Sequence, residues 1–275
     1  MIQSLTNMFN TILIQPLTNG LILCYKFLGQ NLGVAIIAFS LFLRFILNPL
    51  TKPYMESMKK MKDMAPQLEK LKKKHGSDKV KLAQAQSELY KQKGVNPSAG
   101  CLPYLLQIVV LIAFFNVFTK TISAGGNLTE KFNALLYAPL KFSQEEVINT
   151  KFLYLDVTKP DVFHFPGVPF PIPGPMIILA ALVQLASSKM MAPAVAVEKK
   201  EAKKTKSDTD DIQVAMQQSM TYTFPLMTLF FGMSFSSGLA IYWLLFSLWQ
   251  AIQQYNTSGL GGLRPWLLKL RLIKS

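Results

Sequence analysis

The feature that most restricts this chain is a set of five windows, 20–50, 98–120, 171–191, 213–234 and 237–256, that are almost free of charged side chains and are separated by polar segments. A hydrocarbon core about 30 Å thick asks for roughly 20 mostly apolar residues per helix, with backbone amides bonded within the segment. The windows therefore predict an all-α, polytopic membrane protein with five transmembrane helices. Composition agrees, since 50% of the residues are hydrophobic and only 16% are charged, an unusual balance for a soluble domain.

The chain carries a formal charge of +14, and its placement decides what the charge means. Segment 51–97 holds twelve Lys against five acids, 189–218 six against five, and 257–275 four Lys or Arg and no acid, whereas 119–170 is balanced at five each. Lys and Arg beside a span resist translocation, so the three basic segments are expected in the cytoplasm, the amino end outside and the carboxyl end inside. A basic stripe for sequence-specific nucleic-acid binding would not be divided in this way among loops between apolar windows.

Residues 1–19 mix Leu, Ile, Met and Phe with Gln, Asn and Thr at helix-like spacing, which fits an amphipathic helix lying in the interface. The first twenty residues lack Lys and Arg, so the first apolar helix is expected to stay rather than act as a cleavable signal. Window 20–50 reads as one long helix, with Pro49 and Pro53 at its cytoplasmic exit. Segment 51–95 reads as a cytoplasmic helical hairpin joined at Gly76, in which Pro66 demands a kink or a fresh start. Segment 121–170 is an extracytoplasmic loop with small helices, 192–212 a flexible cytoplasmic linker, and 257–275 a basic tail.

Chemistry at bilayer depth needs carboxylates, a Ser and His pair or a metal site, and every Asp and Glu falls outside the windows. Cys24 and Cys101 lie in or beside apolar stretches, and His75 and His164 fall on opposite expected sides, so neither a disulfide framework nor a metal cluster is expected. No catalytic group and no cofactor is assigned. What the windows do contain is Arg44, with Asn48, Gln107, Gln184 and Trp243 among the polar or amphipathic side chains. A guanidinium in hydrocarbon costs between about 3 and more than 10 kcal/mol, and relief comes from snorkelling, a partner or water. Arg44 stands six residues before Leu50, about 9 Å at helical rise, so it serves either as a snorkelling topology anchor or as the cation of a hydrated groove.

The run Asn96-Pro97-Ser98-Ala99-Gly100-Cys101-Leu102-Pro103, followed by Leu106-Gln107, resembles the opening of the second core span in the YidC insertase family. Leu43 to Leu50 with its single Arg resembles the end of that family's first span, Met61 to Gly76 its cytoplasmic hairpin, Leu153 to Pro160 (LYLDVTKP) the segment before its third span, and Gly238 to Trp243 its last span. The likeness covers nearly the whole chain and points to the short bacterial type, without the large outer domain of longer relatives. Where the family has Pro and a small residue before Gly-Leu, this chain has Ser236-Ser237, which predicts a looser turn.

The resemblance implies a bacterial inner-membrane insertase and chaperone. Five spans would enclose a positively charged groove, open to the cytoplasm and to lipid, through which nascent membrane proteins enter the bilayer without nucleotide hydrolysis. Arg44 would attract acidic segments, Gln184 and Trp243 would line the groove with Asn48 and Gln107, and the Lys-rich hairpin would meet substrate, ribosome, Sec translocon or anionic lipid. Two rivals remain: a small channel or transporter, which predicts a continuous pathway, and a passive scaffold, which predicts indifference to Arg44.

Overall fold

The computed structural model describes residues 2–75, 78–94, 102–122, 126–143, 145–191 and 221–271. Helices dominate: α1 (Ile2–Phe9), α2 (Gln15–Phe27), α3 (Leu32–Asp63), α4 (Ala65–His75), α5 (Lys79–Gln92), α6 (Leu102–Asn116), α7 (Leu128–Asn133), α8 (Pro175–Met191), α9 (221–232), α10 (Ser237–Ser258) and α11 (Arg264–Lys269). Two antiparallel ladders interrupt the all-α expectation. The first joins β1 (Lys151–Phe152) to β2 (Leu155–Asp156), with Lys151 opposite Asp156; the second joins β3 (Val162–Phe163) to β4 (Ile172–Pro173), with Val162 opposite Pro173. Both lie in segment 121–173, where pairs this short leave no periodicity to read.

Among the described residues, one stretch, Leu32–Pro49, is both long and apolar enough to cross a bilayer unaided, at a mean hydropathy of 1.9 over 18 residues. Ile108–Thr119 and Pro175–Met190 are shorter apolar helices. The linker 192–212 and the first residues of the window 213–234 lie outside the described residues, as does Gly76.

Three local boundaries differ from the sequence reading. The window 20–50 is two helices, because Leu28 ends α2 and Gly29 and Gln30 take φ of +79° and +52° before α3 begins. The interfacial segment 1–19 does not end at Asn19: a π-helical turn, Asn10–Ile14, leads straight into α2, and Thr18 and Asn19 are buried. Asn19 is fixed by donating to the Leu135 carbonyl at 3.0 Å and accepting from the Tyr137 amide at 2.8 Å. Pro49 and Pro53 sit inside α3 rather than ending it. They stand one turn apart, so the carbonyls they leave without a helical amide are those of Phe45 and Pro49. The fresh start expected at Pro66 is present, with α4 opening one residue before it. Asp78 caps α5 by accepting from the Val80 and Lys81 amides, and α4 packs against α5 as a hairpin.

The chain forms two compact units. The first, Met1–Ile46, Leu106–Leu182 and Leu226–Ser247, has a core of Leu21, Ile22, Ile36, Phe114, Phe118, Phe132, Val157, Ile177 and Leu239. Phe114 lies at its centre, 6.1 Å from Phe118 and 4.2 Å from the nearly parallel ring of Tyr242. A Cβ on Gly238 would lie 2.6 Å from Phe118 and 3.0 Å from the Val157 carbonyl, so only glycine lets α10 start this close to β2. The second unit, Leu47–Leu105, Val183–Pro225 and Leu248–Ser275, contains the α4 and α5 hairpin and the end of the chain.

Candidate functional site

In the first unit, Arg44 projects from α3 onto α10. Its guanidinium carbon lies 4.1 Å from the centroid of the Phe246 ring, and the Tyr242 hydroxyl is its hydrogen-bond partner. Tyr242 and Phe246 are four residues apart and therefore share a face of α10. Tyr242 is buried and stacked on Phe114, so the perch is anchored in the core of the unit. The arginine itself is half-buried. A cation over an aromatic face gains about 0.5–2 kcal/mol, less than the ~3 to more than 10 kcal/mol that a guanidinium costs in hydrocarbon. The Phe246 ring and the Tyr242 hydroxyl together hold the guanidinium in place against α10.

Trp243 follows Tyr242 on α10 and is half-buried; the ring that receives the guanidinium is Phe246. Gln107 lies on α6 in the same unit. In the second unit, Gln184 is half-buried on α8, and Asn48 is engaged across helices. The Gln253 amide donates to Asn48 Oδ1 at 2.6 Å and to Thr51 Oγ1 at 3.4 Å, while the Thr51 hydroxyl donates to the Asn48 carbonyl at 3.0 Å. Asn48 thus clasps α3 to α10 within that unit. Its partner could have been suspected from Gln250, Gln253 and Gln254, which recur at helical spacing in an otherwise apolar window.

A second buried cation was absent from the sequence reading. Lys189, at the end of α8, is 8% exposed; its ammonium donates to the Tyr222 hydroxyl at 2.9 Å and lies 3.9 Å from the centroid of the Trp266 ring. Beside it, the Gln254 amide donates to the Met190 carbonyl at 3.4 Å. The available signal was Trp266, the one tryptophan outside the apolar windows, set in a segment read only as a basic tail.

The segment before α8 is joined to the start of α10 within the first unit. Ser237 donates from its hydroxyl to the Asp156 carbonyl at 2.9 Å and from its amide to the Lys159 carbonyl at 2.7 Å, and the Gly238 amide donates to the Val157 carbonyl at 3.1 Å. The LYLDVTKP run and the start of the last apolar window are therefore one structural joint. Ser236 and Ser237 are buried in it, and the turn is held by Ser237, whose amide and hydroxyl bond the Lys159 and Asp156 carbonyls, while the Ser236 hydroxyl finds no partner among the described residues. Burial pushes the Asp156 carboxyl up, but the Thr158 hydroxyl and amide, Thr150 and Lys159 outweigh it and hold the group below the ordinary carboxylate range. A cavity of about 570 Å³ opens nearby among Asn127, Thr129, Glu146, Thr150 and Lys159, and none of the expected groove residues lines it.

Residues 23–259 match the family described as 60 kDa inner membrane protein. A membrane protein insertase YidC of Fusobacterium nucleatum is 31% identical over 84% of this chain and 87% of its own length. A Shewanella relative of the same description is 33% identical over 85% of this chain, and one from Leptospira interrogans 28% over 93%. The matched region makes up 35% and 36% of those two longer proteins.

Proposed function

The chain belongs to the 60 kDa inner membrane protein family, that of the YidC insertases, and from that premise we propose that it inserts integral membrane proteins into the bacterial inner membrane and helps them fold. Five spans, with the amino end outside and the carboxyl end in the cytoplasm, surround a hydrated groove open to the cytoplasm and to lipid. The observation that carries this reading is Arg44, half-buried and held over the Phe246 ring and by a hydrogen bond with Tyr242.

An acidic or polar outer segment of a substrate is drawn toward that charge, and polar side chains replace part of its hydration, so its desolvation is spread over several steps. Gln184, Trp243, Asn48 and Gln107 supply that lining. The substrate's apolar helix then moves into lipid, where burial at about 25 cal/mol per Å² drives the step without nucleotide hydrolysis. The Lys-rich α4 and α5 hairpin receives the substrate and offers a surface for ribosome, Sec translocon or anionic headgroups.

The test is depletion complementation. The chain should rescue a bacterium deprived of its own insertase, and Arg44→Ala, folded and membrane-embedded, should lose insertion of acidic-tailed substrates. Arg44→Lys should retain activity where charge suffices and lose it where the planar fork is needed. Full activity of Arg44→Ala would leave the passive scaffold as the better reading, and ion flux through proteoliposomes would favour the channel.

A further inference from the structure

The loop joining β3 to β4 is apolar where water-exposed loops are polar. Phe163, Phe165, Val168 and Phe170 are all exposed, Phe170 to 64%, and no Asp, Glu, Lys or Arg occurs between Asp161 and Lys189. Soluble surfaces rarely gather large apolar side chains in this way without a partner.

The loop is also built rigidly. Pro166 and Gly167 occupy its tip, Gly167 has φ +85°, and the Val168 amide donates to the Phe165 carbonyl at 3.1 Å, the pattern of a type II turn. Its base is locked to α8: the Gly174 amide donates to the Asp161 carbonyl at 2.8 Å, and the buried Asp161 carboxylate accepts from the Met176 amide at 2.9 Å. Pro166, Pro169, Pro171 and Pro173 carry no amide hydrogen, which lowers the number of backbone donors that would lack a partner away from water.

From the base the apolar surface continues along α8, whose Ile178, Leu179 and Leu182 are exposed on one side while Ile177, Ala180 and Ala181 are buried on the other. A lipid-facing helix that leads without a charge into an exposed Phe-rich hairpin gives one continuous surface for a bilayer. We propose that this hairpin seats Phe163, Phe165, Val168 and Phe170 in the outer leaflet beside α8, as an interfacial anchor whose partner is lipid. The inference rests on the reading that α8 crosses the bilayer with Pro175 outside.

The test uses the full chain with Cys24→Ser and Cys101→Ser, nitroxide-labelled at Phe165→Cys or Val168→Cys, with Lys151→Cys as the control. It is reconstituted in vesicles of phosphatidylcholine and phosphatidylglycerol. Labels at 165 and 168 should be rich in oxygen contact and poor in contact with a water-soluble nickel chelate, at roughly 5–10 Å below the phosphates, and the label at 151 should show the reverse. Adding Phe163→Ser and Phe170→Ser should raise nickel contact at position 168 several-fold. Nickel contact at 165 and 168 equal to that at 151 overturns the proposal. Label broadening that fades on dilution with lipid also overturns it, by assigning the surface to a second copy. In sealed vesicles of known orientation, reduction of the 151 label only from the cytoplasmic side would overturn the topology of α8 itself, an outcome distinct from a wet hairpin on the outer side.

Discussion

Replacing Phe246 by Leu tests whether the aromatic perch, and not merely the presence of an arginine, positions the charge. Leucine keeps most of the apolar volume of a half-buried site, so the helix packing should survive. What is lost is the ring face 4.1 Å from the guanidinium, well within the ~6 Å over which such contacts act, worth about 0.5–2 kcal/mol. Arg44 precedes Leu50 by six residues, about 9 Å, so in the proposed topology a side chain released from the perch can reach the cytoplasmic headgroups. At about 1.4 kcal/mol per tenfold, the occupancy of the position over Phe246 should fall roughly 2- to 30-fold and, on the proposed insertase reading, the rate for an acidic-tailed substrate should fall with it. The assay is insertion by the purified protein in liposomes, scored by protease protection of an acidic-tailed and a neutral-tailed substrate in parallel. Phe246→Tyr should preserve the rate. Wild-type rates in Phe246→Leu alongside an impaired Arg44→Ala would refute the perch, and an equal loss for both substrates would reduce Phe246 to a packing role.

Three further outcomes follow from the geometry. The Asp156 carboxyl is held below its ordinary value near ~3.9, so its stabilisation is fully present above that value and is lost as pH falls through the folded one; the thermal midpoint in detergent should decline on the acid side below about pH 4, and Asp156→Asn should flatten that decline. Trp266→Ala removes the face 3.9 Å from the buried Lys189 ammonium, a loss of about 0.5–2 kcal/mol that should expose segment 259–271 to faster proteolysis, while Trp266→Phe should largely protect it; unchanged cleavage would dissociate Lys189 from the chain end. Gly238→Ala forces a Cβ to within 2.6 Å of Phe118 and 3.0 Å of the Val157 carbonyl, and should destabilise by about 1–3 kcal/mol, read as a drop of several degrees in thermal midpoint.

What was legible in the sequence follows from the length scale of each signal. The predominantly helical character and the apolar stretch Leu32–Pro49 extend over tens of residues, so composition alone exposes them; the family resemblance rests on short motifs, which are read residue by residue. The restart near Pro66 was also readable, because a missing amide is a property of a single residue. The break at Leu28 to Asn31 was not, since Gly29 and Gln30 are compatible with continued helix and the decision lies in distant bonds. The Leu32 amide donates to the Asn149 carbonyl and the Asn31 amide group to the Lys151 carbonyl, more than a hundred residues away.

The candidate site divides along the same line. Arg44 stood out because a charge in an apolar window has a cost that sequence shows directly. Phe246 did not, because a phenylalanine in such a window is the expected residue; it becomes informative only through the ring face it offers on the turn after Tyr242. Lys189 shows the converse, as a cation at the end of an apolar helix is ordinary until Tyr222 and Trp266 are seen to bury it. Sequence therefore locates groups whose solvation is anomalous where they stand, and it misses groups that become special through what they pack against. That distinction predicts where function tuned within this family should be sought: at aromatic positions such as Phe246, within a window, and Trp266, beyond the last one, whose exchange barely alters the hydropathy pattern while altering how firmly a cation is held.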